Sequence, residues 1–211
     1  MIKILFFDFD GTINNALNLQ YNTLARIIQK HGHFTDKNKI MPLLGLKMQE
    51  IIEKLGIRAN VGVIRKEFYK ELNKGLNQLN LCVSVKPLYA LKKDYQLMVI
   101  SNAEASFTLT AAKKLKVYDL FEKFYTAEHF LDKSTELKKL FKKYKIKPKE
   151  AVYIGDRDSD VSFAKKAGCY SIAIHNKCSY SSLSQIKKQK PDFIIKDFYG
   201  LERVLKKLNK L

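Results

Sequence analysis

The stretch Ile2-Lys3-Ile4-Leu5-Phe6-Phe7-Asp8-Phe9-Asp10-Gly11-Thr12 decides how the rest of this chain is read. Its apolar run has the length of a buried strand and ends at Phe7, and two aspartates follow one residue apart before a glycine. In open α/β sheets ligands gather outside the carboxyl ends of the strands, which is where such a strand would deliver both carboxylates. Acids this close repel, and they persist together where a cation, a shared proton or a catalytic duty compensates. Asp and Gly are also ordinary turn formers, so on its own the stretch is explained equally well by an Asx-type turn.

Beyond Thr12 the strand pattern gives way to helical periodicity up to about Leu81. Leu17, Tyr21, Leu24, Ile27 and Ile28 form one apolar stripe, Met48, Ile51, Ile52 and Leu55 a second, and Val61, Ile64, Phe68, Leu72 and Leu76 a third. Gly32, Pro42, Gly45, Gly56 and Gly62 punctuate them. This predicts a small helical bundle inserted between the first two strands of the core. From Lys86-Pro87 onward strands and helices alternate. Strands are expected over 96–100, 124–126, 151–154, 171–174 and 193–195, and helices over 107–115, 134–144 and 159–167. Such alternation predicts an α/β fold, a Rossmann-like parallel sheet with helices on both faces. The expected division is residues 1–14 and 83–211 for the core and 15–82 for the inserted helical domain.

Composition agrees. A chain of 211 residues with 46% hydrophobic content has enough material for one core domain and a modest second one. No apolar run approaches the roughly 18 residues of a membrane span, and Met1-Ile2-Lys3-Ile4 leads straight into a strand rather than a secretory signal. The expectation is a soluble, cytoplasmic protein. Cys82, Cys169 and Cys178 are odd in number and scattered, which favours buried reduced thiols over disulfides or a zinc site. The formal net charge of +18 invites a nucleic-acid reading. The lysines fall on helical faces, however, as in Lys138, Lys139, Lys142 and Lys143, or Lys206, Lys207 and Lys210. The interleaved Leu137, Leu140, Phe141 and Tyr144 recur at core spacing. A spread surface charge that draws anionic substrates is the reading adopted, with a nucleic-acid-binding protein as its rival.

Three further pieces appear at the ends of expected strands: Val99-Ile100-Ser101-Asn102, then Lys133, then Gly155-Asp156-Arg157-Asp158-Ser159-Asp160. Together with Asp8-Phe9-Asp10-Gly11-Thr12 they resemble the haloacid dehalogenase superfamily of phosphatases, over nearly the whole chain. The resemblance implies that Asp8 is a nucleophile forming an aspartyl-phosphate, and that Asp10 is the general acid and base. It implies Mg²⁺ as cofactor, held by Asp8, the main chain of Asp10, Asp156 and Asp160, with Asp156 the surer direct ligand. Ser101, Asn102 and Lys133 would bind the substrate phosphate, with Lys138 the alternative lysine. Ser101 and Asn102 could equally cap the next helix. Thr12, Gly11 and Gly155 would support the site, and Asp158 falls outside the family spacing. Four carboxylates, Mg²⁺ and one ammonium sum to minus one before a dianionic substrate arrives, so Asp10 is expected to be protonated in the complex.

The resemblance also makes the insertion a cap that closes over the substrate, and Gly45-Leu46-Lys47 with Glu50 is similar to the cap of phosphoglycolate phosphatases. Lys47 is read as a solvated lysine in preference to a contact for a substrate carboxylate. Asn15 and Ala16 stand where relatives commonly carry Asp and Ser near the cap hinge. The leading substrate is phosphoglycolate, followed by pyrophosphate, sugar phosphates and nucleotide monophosphates. A β-phosphoglucomutase-like phosphotransferase is the nearest enzymatic alternative. The working unit is expected to be a monomer or homodimer acting on a small phosphorylated metabolite, without a membrane partner.

Overall fold

The protein is described by a computed structural model covering residues 1–210. The opening apolar run forms β1 (Ile4–Phe7), and it becomes the centre of the sheet because both of its edges are paired. β4 (Gln96–Ile100) lies on one side and β6 (Ala151–Gly155) on the other, both parallel to it. With β5 (Lys123–Tyr125), β7 (Tyr170–Ile174) and β8 (Phe193–Ile195) the order is β5-β4-β1-β6-β7-β8. The chain thus winds outward from β1 through β4 to β5, then returns to the other side of β1. That reversal is the topological switch at which doubly wound sheets place their ligands.

Side chains alternate across this sheet with period two. Leu5, Phe7, Leu97, Val99, Val152 and Ile154 enter one core layer, which also takes up Phe107, Leu201 and Leu205. Ile4, Phe6, Met98, Ile100 and Tyr153 enter the other, against Leu137, Leu140 and Phe141 of α7 (Lys133–Lys143). Strands apolar on both faces are stable only when helices cover both, and each buried Phe or Leu contributes about 1.5–3 kcal/mol. The register aligns Phe7 with Val99 and with Ile154. Asp8, Ser101 and Asp156 therefore leave three adjacent strands at nearly the same level.

The insertion carries α1 (Leu17–Lys30), α2 (Lys37–Ile40), α3 (Met48–Lys54) and α4 (Val61–Lys74), and α5 (Lys86–Leu91) and α6 (Ala105–Lys114) follow on either side of β4 in the chain. Leu24, Ile28, Ile52 and Phe68 belong to the same hydrophobic cluster as the first core layer, so the cap packs continuously onto the sheet domain. Helical periodicity does not account for its two ends. There β2 (Asn14–Asn15) and β3 (Asn80–Leu81) pair antiparallel as a two-residue ribbon, too short to leave an alternating pattern in the sequence. Among the described residues no helix is long and apolar enough to cross a membrane. All three cysteines are free and buried.

Candidate active site

Asp8 follows β1 directly and is almost wholly buried. Its Oδ1 accepts from the Lys133 ammonium at 2.7 Å, and the same ammonium donates to Asp160 Oδ1 at 3.3 Å and to the Tyr153 hydroxyl at 2.8 Å. Lys133 opens α7 just after Asp132, whose side chain accepts from the Thr135 amide at 2.8 Å and so fixes where the helix begins. All three ammonium donors are therefore engaged inside the protein. Lys133 thus ties Asp8 to Asp160, and its role toward a substrate phosphate stays a proposal. Lys138, the alternative lysine, is exposed.

Asp156 and Asp160 bracket the start of α8 (Asp158–Ala167). Asp156 is held by the Thr12 hydroxyl at 3.0 Å and the Tyr180 amide at 2.7 Å, and Asp160 by the Arg157 amide at 3.0 Å. Thr12 thus orients a motif aspartate instead of merely closing its own turn. Two glycines make this crowding feasible. A Cβ at Gly11, where φ is +86°, would lie 2.4 Å from Asp156 Oδ2, and one at Gly155 would lie 2.3 Å from Asp160 Oδ2. Asp8, Asp156 and Asp160 each place a carboxylate oxygen within 4.8 Å of the others, a buried all-oxygen cluster of the kind that hard divalent cations take.

Asp10 stands apart from that cluster. Asn14 donates to its Oδ1 at 2.7 Å and Gln20 to its Oδ2 at 3.0 Å, while the Tyr180 hydroxyl donates to the other end of the Gln20 amide at 3.1 Å. The electrostatics follow from the burial. Burial raises Asp8 to about 6, with the Asp160 charge adding to the rise and Lys133 resisting it. Burial and then the Asp8 charge raise Asp10 to about 7. Burial, then the charges of Asp8 and Asp160, push Asp156 well above the carboxylate range. Burial pulls the Lys133 ammonium down, but Asp160 and Asp8 more than offset it, so it ends above the ordinary lysine value. With only the Lys133 ammonium inside the group and the Arg157 charge beside Asp156, the buried carboxyl groups of Asp8, Asp10 and Asp156 hold protons above their ordinary range, and a divalent cation on the three-carboxylate cluster would take the place of those on Asp8 and Asp156.

Ser101 and Asn102 both line the space beside Asp8, although neither side chain is free. Ser101 Oγ accepts from the Ala103 amide at 3.1 Å, and Asn102 donates to the cap carbonyl of Gly45 at 3.0 Å. Lys47 is not solvated. It is half-buried, donates to the carbonyls of Ala127 at 3.1 Å and of Phe130, and sits 4.7 Å over the Phe130 ring. Carbonyls in this irregular segment lack a ladder partner, so they offer the ammonium an oxygen seat that a sequence pattern does not reveal. Asp158 accepts from the Ser181 hydroxyl at 2.9 Å, away from the carboxylate cluster, and Glu50 is exposed. Between Asp8, Asp10 and the cap residues Leu44, Gly45, Met48 and Tyr69 remains a small, partly open cleft. The cap is closed.

The sequence family described as haloacid dehalogenase-like hydrolase matches residues 5–174. The chain belongs to that family. This hydrolase is 24% identical to a phosphoglycolate phosphatase of Vibrio cholerae, with 97% of each chain covered. It is 23% identical to pyrophosphatase PpaX of Bacillus thuringiensis, with 99% of each covered. Its fold superposes with a TM-score of 0.84 on a haloacid dehalogenase-like hydrolase of Streptococcus pneumoniae, at 18% identity over 97% of this chain and 98% of that one.

Gln20, Tyr153 and Tyr180 belong to this hydrolase's site, and the motifs do not mark them. Gln20 is polar at the stripe position shared with Leu24, Ile27 and Ile28, which is a readable signal for a buried amide with a purpose. Tyr153 lies in an otherwise apolar buried strand, where a hydroxyl must find a partner. The amide of Tyr180 leaves no trace in sequence.

Proposed function

We propose that this hydrolase is a Mg²⁺-dependent phosphatase that cleaves a small phosphorylated metabolite through a phosphoaspartate on Asp8. Phosphoglycolate is the leading substrate and pyrophosphate the next. The observation that carries the reading is the contrast between Asp8 and Asp10, two residues apart. The first faces an ammonium and two further buried carboxylates, while the second has no cation in contact and, although two amide donors oppose it, burial and the Asp8 charge raise it to about 7. Paired acids with separated environments divide the work of nucleophile and proton donor.

In the first step an Asp8 carboxylate oxygen attacks phosphorus, the bond from phosphorus to the leaving oxygen breaks, and Asp10 gives its proton to that oxygen. In the second, water attacks the acyl phosphate, Asp10 takes the water proton, and phosphate departs with Asp8 restored. A carboxylate 4 Å from a phosphate charge meets about 4 kcal/mol of repulsion at an effective dielectric near 20. Asp8, Asp156 and Asp160 would hold Mg²⁺, which when bound supplies the positive charge that cancels this repulsion. Lys133 fixes the attacking carboxylate, and Thr12 and the Tyr180 amide fix Asp156.

The test is phosphate release from a panel of small phosphate esters and pyrophosphate, with Mg²⁺ and with chelator, for the wild type and Asp8→Asn. Release that needs both the ion and Asp8 is expected. Release from no compound, or release that survives Asp8→Asn, overturns the proposal.

A further inference from the structure

The three cysteines of this chain are all buried and free, but their surroundings differ. Cys169 packs against the end of α8, where its thiol donates to the Ala164 carbonyl at 3.6 Å and burial pushes it up to about 12. Cys82 and Cys178 interact directly with each other, thiol to thiol. Burial, then the Cys178 thiol and the charges of Asp156 and Asp10, raise Cys82. Contact with Cys82 lowers Cys178, against burial and with help from Lys177. Each of the two stands on a segment next to the site. Cys82 follows β3 in the second linker between cap and core, and its amide donates to the Ile13 carbonyl, beside the first linker, at 2.8 Å. Cys178 lies in the loop after β7, where its amide donates to Asn176 Oδ1 at 2.8 Å. Further along that loop, Tyr180 gives its amide to Asp156 and its hydroxyl to Gln20, which in turn donates to Asp10. The thiol pair therefore joins the hinge side of the cap to the loop that fixes a cluster carboxylate.

We propose that Cys82 and Cys178 form a site of reversible oxidation, at which hydrogen peroxide converts the two thiols into an internal disulfide that ties the cap linker to the Asp156 loop. The Cys178 sulfur attacks one peroxide oxygen, the O–O bond breaks, and a water leaves with a sulfenic acid formed on Cys178. The Cys82 sulfur then attacks that sulfur, the S–O bond breaks, and a second water departs with the remaining thiol proton. Two thiols and one peroxide thus give one disulfide and two waters. Cys178 is the attacking sulfur because thiolate character decides which thiol reacts first. A buried thiol is ordinarily inert, so opening of the cap admits the oxidant and closing returns Cys82 to Cys178. If the pair were only small apolar filling, it would resist oxidation as Cys169 does. The tie restrains the cap, and wherever cap opening limits turnover it slows catalysis.

The test treats the reduced full chain with hydrogen peroxide at neutral pH, blocks the remaining thiols under denaturing conditions and maps the peptides by mass. A crosslink between the Cys82 and Cys178 peptides of one chain is expected, with two hydrogens lost, Cys169 still free, and full reversal by dithiothreitol. In Cys82→Ser the crosslink should vanish and dimedone should trap Cys178 as the sulfenic acid. In Cys178→Ser, Cys82 should be oxidised about tenfold more slowly or less. Wild-type protein that keeps all three thiols, loses Cys169 at an equal rate, or crosslinks only between chains overturns the proposal. Phosphate release by the disulfide form should fall about tenfold or more and recover with dithiothreitol, and an unchanged rate in fully crosslinked protein overturns the tie to the cap. The mapping needs no turnover, so failure of the phosphatase reading leaves it standing, and failure of the crosslink leaves that reading intact.

Discussion

Charged side chains meet in two very different ways in two regions of this molecule. On the outside of the cap, Glu71 pairs with Arg26 at 3.1 Å and with Lys74 at 2.6 Å, and Glu67 with Lys30 at 3.1 Å beside His31, so each anion has basic partners to spare and the cations are mostly exposed. At the carboxyl end of the sheet, Asp8 and Asp160 share the buried ammonium of Lys133, with Asp156 and Asp10 buried nearby and without contact to it. Water screens the first set, which for that reason contributes little. Nothing screens the second, so it is held against its own repulsion by the packing of β1, β4 and β6 and by the amides and hydroxyls that grip each carboxylate. The lesson is that the fold supports a destabilised cluster at one place, and the proposed cation would supply the charge it lacks.

The comparison is broken most sharply by Asp8→Asn, which should cut turnover about 10⁴-fold or more, measured as phosphate release, while circular dichroism stays native. Asp10→Asn should cost about 10² to 10⁴ in kcat and remove the alkaline limb of the pH profile. In the wild type that limb should descend as pH rises through about 7, where Asp10 loses its proton. A flat profile with chemistry rate-limiting would count against its role. Lys133→Met leaves buried carboxylates without their cation and should destabilise the protein by about 3–5 kcal/mol at pH 8, read from urea unfolding. The loss should shrink toward pH 5, where Asp8 and Asp10 are protonated. At the other end of the scale, Arg26→Ala in the cap should change stability by no more than about 0.5 kcal/mol.

Much of this site is legible in the sequence because the chemistry sits where strands end. Asp8 follows an unbroken apolar run, Asp156 follows another, and parallel pairing in register does the rest. What the sequence hides is contact between distant segments. Gln20 reaches Asp10 across ten residues and is itself held by Tyr180 across 160, and local periodicity carries no information about such a meeting. The ribbon of β2 and β3 is hidden for another reason: two residues are too few to show an alternation. Lys47 is misread because a lysine on a helix-rich segment is normally solvated, and only the folded cap brings it to the carbonyls of Ala127 and Phe130.

The acid cluster also sets a pH dependence for the ion-free protein. Asp8 and Asp10 hold protons in the folded state that an unfolded chain has released above its ordinary value of 3.8. Stability should therefore fall as pH rises from about 4 to about 7, and for Asp10 alone the effect is about 4 kcal/mol. An ion bound by Asp8, Asp156 and Asp160 reverses this by taking the place of the protons. The most direct test is calorimetric titration of Mg²⁺ into the chelator-treated protein near pH 6, in two buffers of different ionisation enthalpy. One ion per chain should bind with release of protons, and Asp156→Asn should abolish the binding. Binding without proton release, or binding that Asp156→Asn leaves intact, would contradict the central claim that these buried acids form a single cation site.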